Sequence, residues 1–136
     1  PSIHSLLSSK YHEAQMHRLN IHAEIPDPVI HNYLTDLDLA VVLGHLMDNA
    51  IDGARKASEG FISLAYFDEE DCQSFIIEST IAEEQVPLSM MSTQLSHPEG
   101  GIGVNAVQDI LERYPNTSFS VRSQNHKMMQ ILEMRP

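Results

Sequence analysis

From Leu37 to about Ser58 the apolar residues Leu39, Leu43, Leu46, Met47, Ala50, Ile51 and Ala54 recur at three-and-four spacing. That period lays one face of a helix on a core. Thr35-Asp36-Leu37-Asp38 reads as the helix start, with a hydroxyl to cap and acids in the first turn. Gly60 reads as the stop. A buried stripe this long needs a second layer to lie on. FISLAYF (Phe61–Phe67) and CQSFIIEST (Cys72–Thr80) follow at once as strand-like runs, and the polar DEED between them predicts a hairpin.

The flanks repeat the theme. Ile3 to about Asn20 reads as a helix, with Leu6, Leu7, Tyr11, Ala14 and Leu19 as candidates for its buried side. LNIHAEIP (Leu19–Pro26) alternates like a half-buried strand, closed by Pro26 and Pro28. Ile81 to Glu99 has no clean period and contains Pro87 and Pro98, so it reads as a long loop; such loops often serve as lids or binding loops. Ile102 to Tyr114 reads as a helix closed before Pro115. TSFSVRS (Thr117–Ser123) and MMQILEM (Met128–Met134) predict a last hairpin around Gln124-Asn125-His126-Lys127. Met90-Met91 and Met128-Met129 read as packing residues. The order points to an α+β fold, a two-layer α/β sandwich whose mixed, mostly antiparallel sheet carries its helices on one face. A doubly wound parallel sheet is disfavoured, because consecutive strands join by short turns.

A chain of 136 residues is expected to form a single domain spanning 1–136. With 42% hydrophobic residues and no long apolar run, it is expected to be soluble and to make no membrane contact. PSIHSLLSSKYHEAQ lacks the basic flank and apolar block of a signal peptide. The single cysteine, Cys72, excludes an internal disulfide framework and fits a reducing compartment. A net charge of -11, with eight scattered Lys and Arg, argues against nucleic acid as a partner. An acidic chain can still hold a polyphosphate if Mg2+ bridges the two.

Chemistry concentrates in two stretches. In LGHLMDNAIDGA (Leu43–Ala54), His45, Asn49 and Gly53 stand four apart on one side of the helix, with Asp52 beside them. An Asn oxygen is a hard neutral ligand suited to a Mg2+ that also binds phosphate and water. Gly53, one turn on, leaves room for a flat ring. Taken locally, a polar stripe along a helix edge accounts for the same residues. In HPEGGIGVNAV (His97–Val107), glycines ahead of a helix let backbone N–H groups approach a phosphate. An ordinary loop-to-helix junction is the alternative there. No βαβ unit supports a dinucleotide fingerprint, and no Gly-Lys-Ser/Thr supports a P-loop.

Taken together and in this order, the two stretches resemble the GHKL superfamily, and among its members the sensor histidine kinases that receive quorum-sensing peptides. The resemblance covers nearly the whole chain. DLDLAVVLGHLMDNAIDGARKA (Asp36–Ala57) is similar to the N box, and GGIGVNAVQDIL (Gly100–Leu111) to the last glycine box. It implies a Bergerat-type sandwich that binds ATP with Mg2+ and donates the γ-phosphate to a His on a separate dimerisation domain of the same kinase. A response regulator then lies downstream. By this likeness Asn49 coordinates Mg2+, Gly53 and Ala54 flank adenine, and Asp52 sits at the pocket rim. Gly101 and Gly103 bring amides to the phosphates, residues 1–18 form the leading helix, and residues 81–100 form the ATP lid. The likeness also implies a cytoplasmic domain of a membrane-anchored receptor, with the phospho-acceptor outside this chain rather than at His4.

The chain departs from the family pattern in four places. FIIESTIAEEQVP (Phe75–Pro87) replaces the usual Asp-x-Gly-x-Gly box, with Ser79 at the adenine-binding position and Glu78 beside it. Glu99 stands where the last box usually begins with glycine. Ile81–Gly100 has no Lys or Arg, leaving His97 as the candidate cation. His45 occupies the place of the water-activating Glu of ATP-hydrolysing members, which points to phosphoryl transfer over hydrolysis. Two readings therefore stay open: an ATP-binding kinase domain, or a degenerate GHKL module with weak or no ATP binding that acts in protein interaction or signal relay.

Overall fold

The computed structural model describes residues 2–24, 33–82 and 101–136, with backbone alone for residues 2 and 101–106. Its elements are α1 (Ser2–Met16), β1 (Asn20–Glu24), α2 (Asp36–Lys56), β2 (Phe61–Glu69), β3 (Cys72–Thr80), α3 (Gly101–Arg113), β4 (Thr117–Gln124) and β5 (Lys127–Met134). The five strands form one sheet in the order β1-β2-β3-β5-β4. β1 pairs parallel to β2, and every other pair is antiparallel. The expected α+β sandwich with a mixed, mostly antiparallel sheet is the fold observed. Pro26, Pro28, Met90-Met91, His97, Glu99 and residues 83–100 of the expected lid lie outside the described residues.

α2 begins as its sequence predicts. Thr35 is the N-cap, its hydroxyl accepting from the Asp38 amide at 3.2 Å, and Asp36 and Asp38 meet the positive end of the helix dipole. Its stripe from Leu39 through Leu43, Leu46, Met47 and Ala50 to Ala54 is almost wholly buried. Each fully buried side chain of Leu size contributes about 1.5–3 kcal/mol. This helix packs on β3 and β2, while α1 packs on α2 and β1, and α3 packs on α2. Among the described residues no helix is long and apolar enough to cross a membrane.

Strand alternation sets the face of the sheet that the helices cover. Ile62, Leu64 and Tyr66 on β2 stand opposite Ser79, Ile77 and Phe75 on β3, and these in turn stand opposite Met128, Gln130 and Leu132 on β5. All of these are buried. Tyr66 and Phe75 add a tilted ring pair with centroids 4.7 Å apart. The opposite face carries half-buried Ile76 and Ile131 and the exposed Phe67.

The junctions refine the sequence reading. α1 stops at Met16, because Arg18 turns to φ 60. The Leu19 amide then donates to Ala14 O and the Arg18 amide to Gln15 O, a Schellman cap. Leu7, Ala14 and Leu19 are buried as expected, but Tyr11 is exposed, and Ile3 takes the core position one turn before Leu7. The β4–β5 hairpin turns on Asn125 and His126, both at positive φ, which matches the twist of two-residue hairpins. Gly60 is no left-handed cap, since among the described residues no glycine has positive φ. A Cβ there would lie 2.3 Å from Leu19 Cδ2, so the glycine permits close approach of the β1 lead-in.

Candidate functional site

Asn49 projects from the fourth turn of α2 and is half-buried. Its Nδ2 donates to Gln130 Oε1 at 3.3 Å. Gln130 on β5 is 1% exposed, and its own Nε2 donates to the Leu46 carbonyl at 2.9 Å. A polar relay therefore runs from the helix backbone through the sheet to the Asn49 amide. The bond uses the nitrogen of Asn49, and its Oδ1 is the atom on the other branch.

One turn further along α2, Gly53 faces the end of β3. A Cβ there would lie 3.0 Å from Ile81 Cγ2, 3.4 Å from Thr80 O and 3.9 Å from Ser79 Oγ. Ser79 is fully buried, and its hydroxyl has no hydrogen-bond partner among the described residues. Gly53 and Ser79 are thus brought together. Glu78 is not part of the group: the strand pleat sends it to the opposite face, where it pairs in register with Ser63 and Met129. The segment after Ser79 is fixed on two sides. Thr80 Oγ1 donates to Glu59 O at 2.7 Å and accepts from the Phe61 amide at 3.0 Å. The Ile81 amide donates to His126 O at 2.9 Å, and His126 Nδ1 donates to Ala82 O at 3.0 Å.

Asp52 lies beside Gly53 and is half-buried, with Lys56 Nζ 3.8 Å from Oδ2 across one helical turn. Gly101 and Gly103 open α3, where a helix leaves its first N–H groups without internal partners. At its other end α3 is latched to the start of α2. Arg113 grips Asp38 with both guanidinium nitrogens, at 3.1 and 3.0 Å, and the Tyr114 hydroxyl donates to Asp38 Oδ2 at 2.6 Å. These bonds, Tyr114 first and Arg113 next, hold the Asp38 carboxyl below its ordinary value, and the same pairing raises the Arg113 guanidinium. Among the described residues no group of three His, Cys, Asp or Glu converges on a metal position. A Mg2+ held here would draw on Asn49, phosphate and water, the usual ligand mix for this ion.

Two members of the site escaped the sequence reading. Ile81 reads as the start of a loop, and it is also buried against Gly53 and Met128. Gln130 reads as one more residue of a strand. Its signal was present: in KMMQILEM it keeps phase with Met128, Leu132 and Met134, so a polar side chain sits on the apolar face.

Comparisons with known proteins agree with this arrangement. A profile of the GHKL domain family matches residues 34–135. No curated protein matches significantly. Among solved structures, the catalytic domain of the histidine kinase ThkA in a nucleotide-free form aligns with a TM-score of 0.76 at 13% identity, covering 98% of this chain and 89% of that one. The histidine kinase AdeS of Acinetobacter baumannii aligns with a TM-score of 0.73 at 16% identity, covering 98% of this chain and 62% of that one. The histidine kinase domain of a blue-light activated kinase from Erythrobacter litoralis gives 0.74 at 11% identity, covering 98% and 64%. At such identities the structural likeness speaks for the fold, and the profile match speaks for the family. On that match this chain belongs to the GHKL family, with the fold of histidine kinase catalytic domains.

Proposed function

We propose that this chain is the ATP-binding catalytic domain of a two-component sensor histidine kinase, binding Mg2+-ATP and donating the γ-phosphate to a His on a separate dimerisation domain of the same kinase. The observation that carries the reading is the buried Ser79 hydroxyl, which has no hydrogen-bond partner among the described residues and meets Gly53, one helical turn from the Asn49 amide. A buried polar group without a partner costs about 1–3 kcal/mol. The amino group of a bound adenine is a donor that would relieve it, and the absent side chain of Gly53 gives a flat ring its room.

In this reading Ser79 accepts from the base, Gly53 and Ala54 flank it, and Asp52 stands at the rim. Asn49 offers its amide oxygen to the metal, and the backbone of Gly101 and Gly103 holds the phosphates. Residues 81–100 serve as the lid. When bound, Mg2+ supplies neutralisation of the phosphoryl oxygens. The chain's own contribution is position: it fixes the nucleotide so that an imidazole from the neighbouring domain can reach the γ-phosphate. With His45 in place of a carboxylate before Asn49, this assignment favours transfer over hydrolysis. A response regulator downstream, a membrane-anchored receptor of the quorum-sensing peptide type and the absence of a nucleic-acid partner complete the assignment.

A second reading, a degenerate module serving protein interaction or signal relay, draws on one observation. Ile81 fills the space in front of Gly53, and Ser79 has no exposed surface. Titration calorimetry with ATP and Mg2+ on wild type and Asn49→Ala, with thermal melts of both, separates the two. The kinase reading expects binding by the wild type and a loss of about tenfold or more in Asn49→Ala. Equal heats from two folded proteins would remove Asn49 from its role. No heat from the folded wild type would establish the second reading.

A further inference from the structure

We propose that Gln130 is a positioning residue that holds the Asn49 amide with its oxygen turned away from the sheet, toward the metal. This rests on the reading of Asn49 as the Mg2+ ligand given above. The argument starts from where Gln130 lies. Along β5 it stands between the buried Met128 and Leu132. Across the sheet it faces Ile77 on β3 and Val121 on β4. An amide in such surroundings is costly unless both of its ends are paired. An apolar residue would suit the same place by pattern alone.

The pairing leaves one solution. The Leu46 carbonyl only accepts, so it takes the Gln130 nitrogen, at 2.9 Å. That choice turns Gln130 Oε1 toward Asn49, and an amide oxygen also only accepts. Asn49 must therefore present Nδ2, at 3.3 Å, and Oδ1 occupies the opposite branch. The reversed amide would set two oxygens against each other with no proton between them. Low dielectric around Gln130 makes that arrangement more unfavourable than it would be in water. With an apolar side chain at position 130 the Asn49 amide would lose this constraint. It would then offer NH2 to a cation as readily as oxygen, and a cation accepts only the oxygen. Gln130 touches neither metal nor nucleotide in this scheme and acts through Asn49, as outer partners of metal ligands commonly do.

The test compares wild type, Gln130→Leu and the volume-matched Gln130→Met in the whole chain, with circular dichroism to establish folding. Calorimetry gives the affinity for ATP with Mg2+ and for ATP with a chelator, so the metal-dependent gain is read separately from nucleotide binding. Both variants are expected to keep the metal-free affinity within about twofold and to lose about tenfold of the gain, the usual scale for an outer partner. Side-chain amide signals of 15N-labelled protein provide a readout that needs no ligand. The Asn49 NH2 pair, assigned by its loss in Asn49→Ala, is expected downfield in wild type and at free-amide positions in Gln130→Leu. Folded variants with the full metal-dependent gain would overturn the proposal, as would an Asn49 signal unmoved by Gln130→Leu. Absence of any gain in the wild type overturns the metal role of Asn49 first, and the proposal with it.

Discussion

Gly44 and Gly53 both lie inside α2, nine and eighteen residues after its Thr35 cap, and only Gly53 faces the end of β3. An Ala at either position gains about 1 kcal/mol of helix propensity. At Gly44 the new Cβ would meet Leu6 Cδ1 at 3.8 Å, an ordinary contact, so the gain is kept. Over 136 residues the unfolding entropy is about 0.29 kcal/mol per kelvin, which turns that gain into a Tm about 3 °C higher. At Gly53 the Cβ would lie 3.0 Å from Ile81 Cγ2 and 3.4 Å from a backbone oxygen. Ile81 is β-branched and buried, with its amide bonded to His126 O, so it has little room to yield. Overpacking of this kind costs about 1–3 kcal/mol. The net for Gly53→Ala therefore runs from no change to about 2 kcal/mol of destabilisation, a Tm up to about 7 °C lower. Thermal melts of both variants measure this, and calorimetry with Mg2+-ATP tests the site: Gly44→Ala is expected to bind as wild type does, and Gly53→Ala more weakly. If Gly53→Ala melts above wild type alongside Gly44→Ala and keeps its ATP affinity, the close approach at Gly53 has no role and the reasoning fails.

Three further outcomes are expected. Asp38 has a folded pKa below its ordinary 3.8, so its pairing with Tyr114 and Arg113 stabilises fully above that value and is lost as pH falls through the lowered one. The Tm gap between wild type and Asp38→Asn should be full at neutral pH and close in the acid range; a gap that persists in strong acid contradicts the latch. Burial raises the Tyr66 phenol from 10.0 to about 12. Its contribution is complete below 10.0 and is lost as pH rises toward that folded value. Tyr66→Phe should remove the corresponding part of the alkaline loss in urea titrations, and parallel curves for the two proteins would count against it. Ser79→Ala removes a buried hydroxyl that has no partner among the described residues, so the ligand-free protein should gain up to about 1 kcal/mol while losing affinity for ATP. A drop in Tm without ligand would mean that the hydroxyl is satisfied.

Much of the fold was legible because it is written in local periods. Three-and-four spacing and Thr35 defined α2, and alternation with short polar turns defined both hairpins. Ends were less legible where no distinctive residue marks them. α1 stops through an arginine in the left-handed region, a place where glycine is the usual signal. Gly60 reads as a helix stop, while its reason lies in Leu19, a residue 41 positions earlier in the chain.

The site divides along the same line. Sequence by itself determined that Asn49, Asp52 and Gly53 share a helix side and that a glycine turn opens a later helix, because neighbours along a chain set a helical face. Tertiary structure alone decided that Ser79 rather than Glu78 meets Gly53, that the Ser79 hydroxyl has no partner among the described residues, and which atom of Asn49 meets Gln130. Those outcomes depend on the phase of a strand and on a hydrogen bond between residues 81 apart. Such a bond exists only once helix and sheet have packed, and no local pattern encodes it.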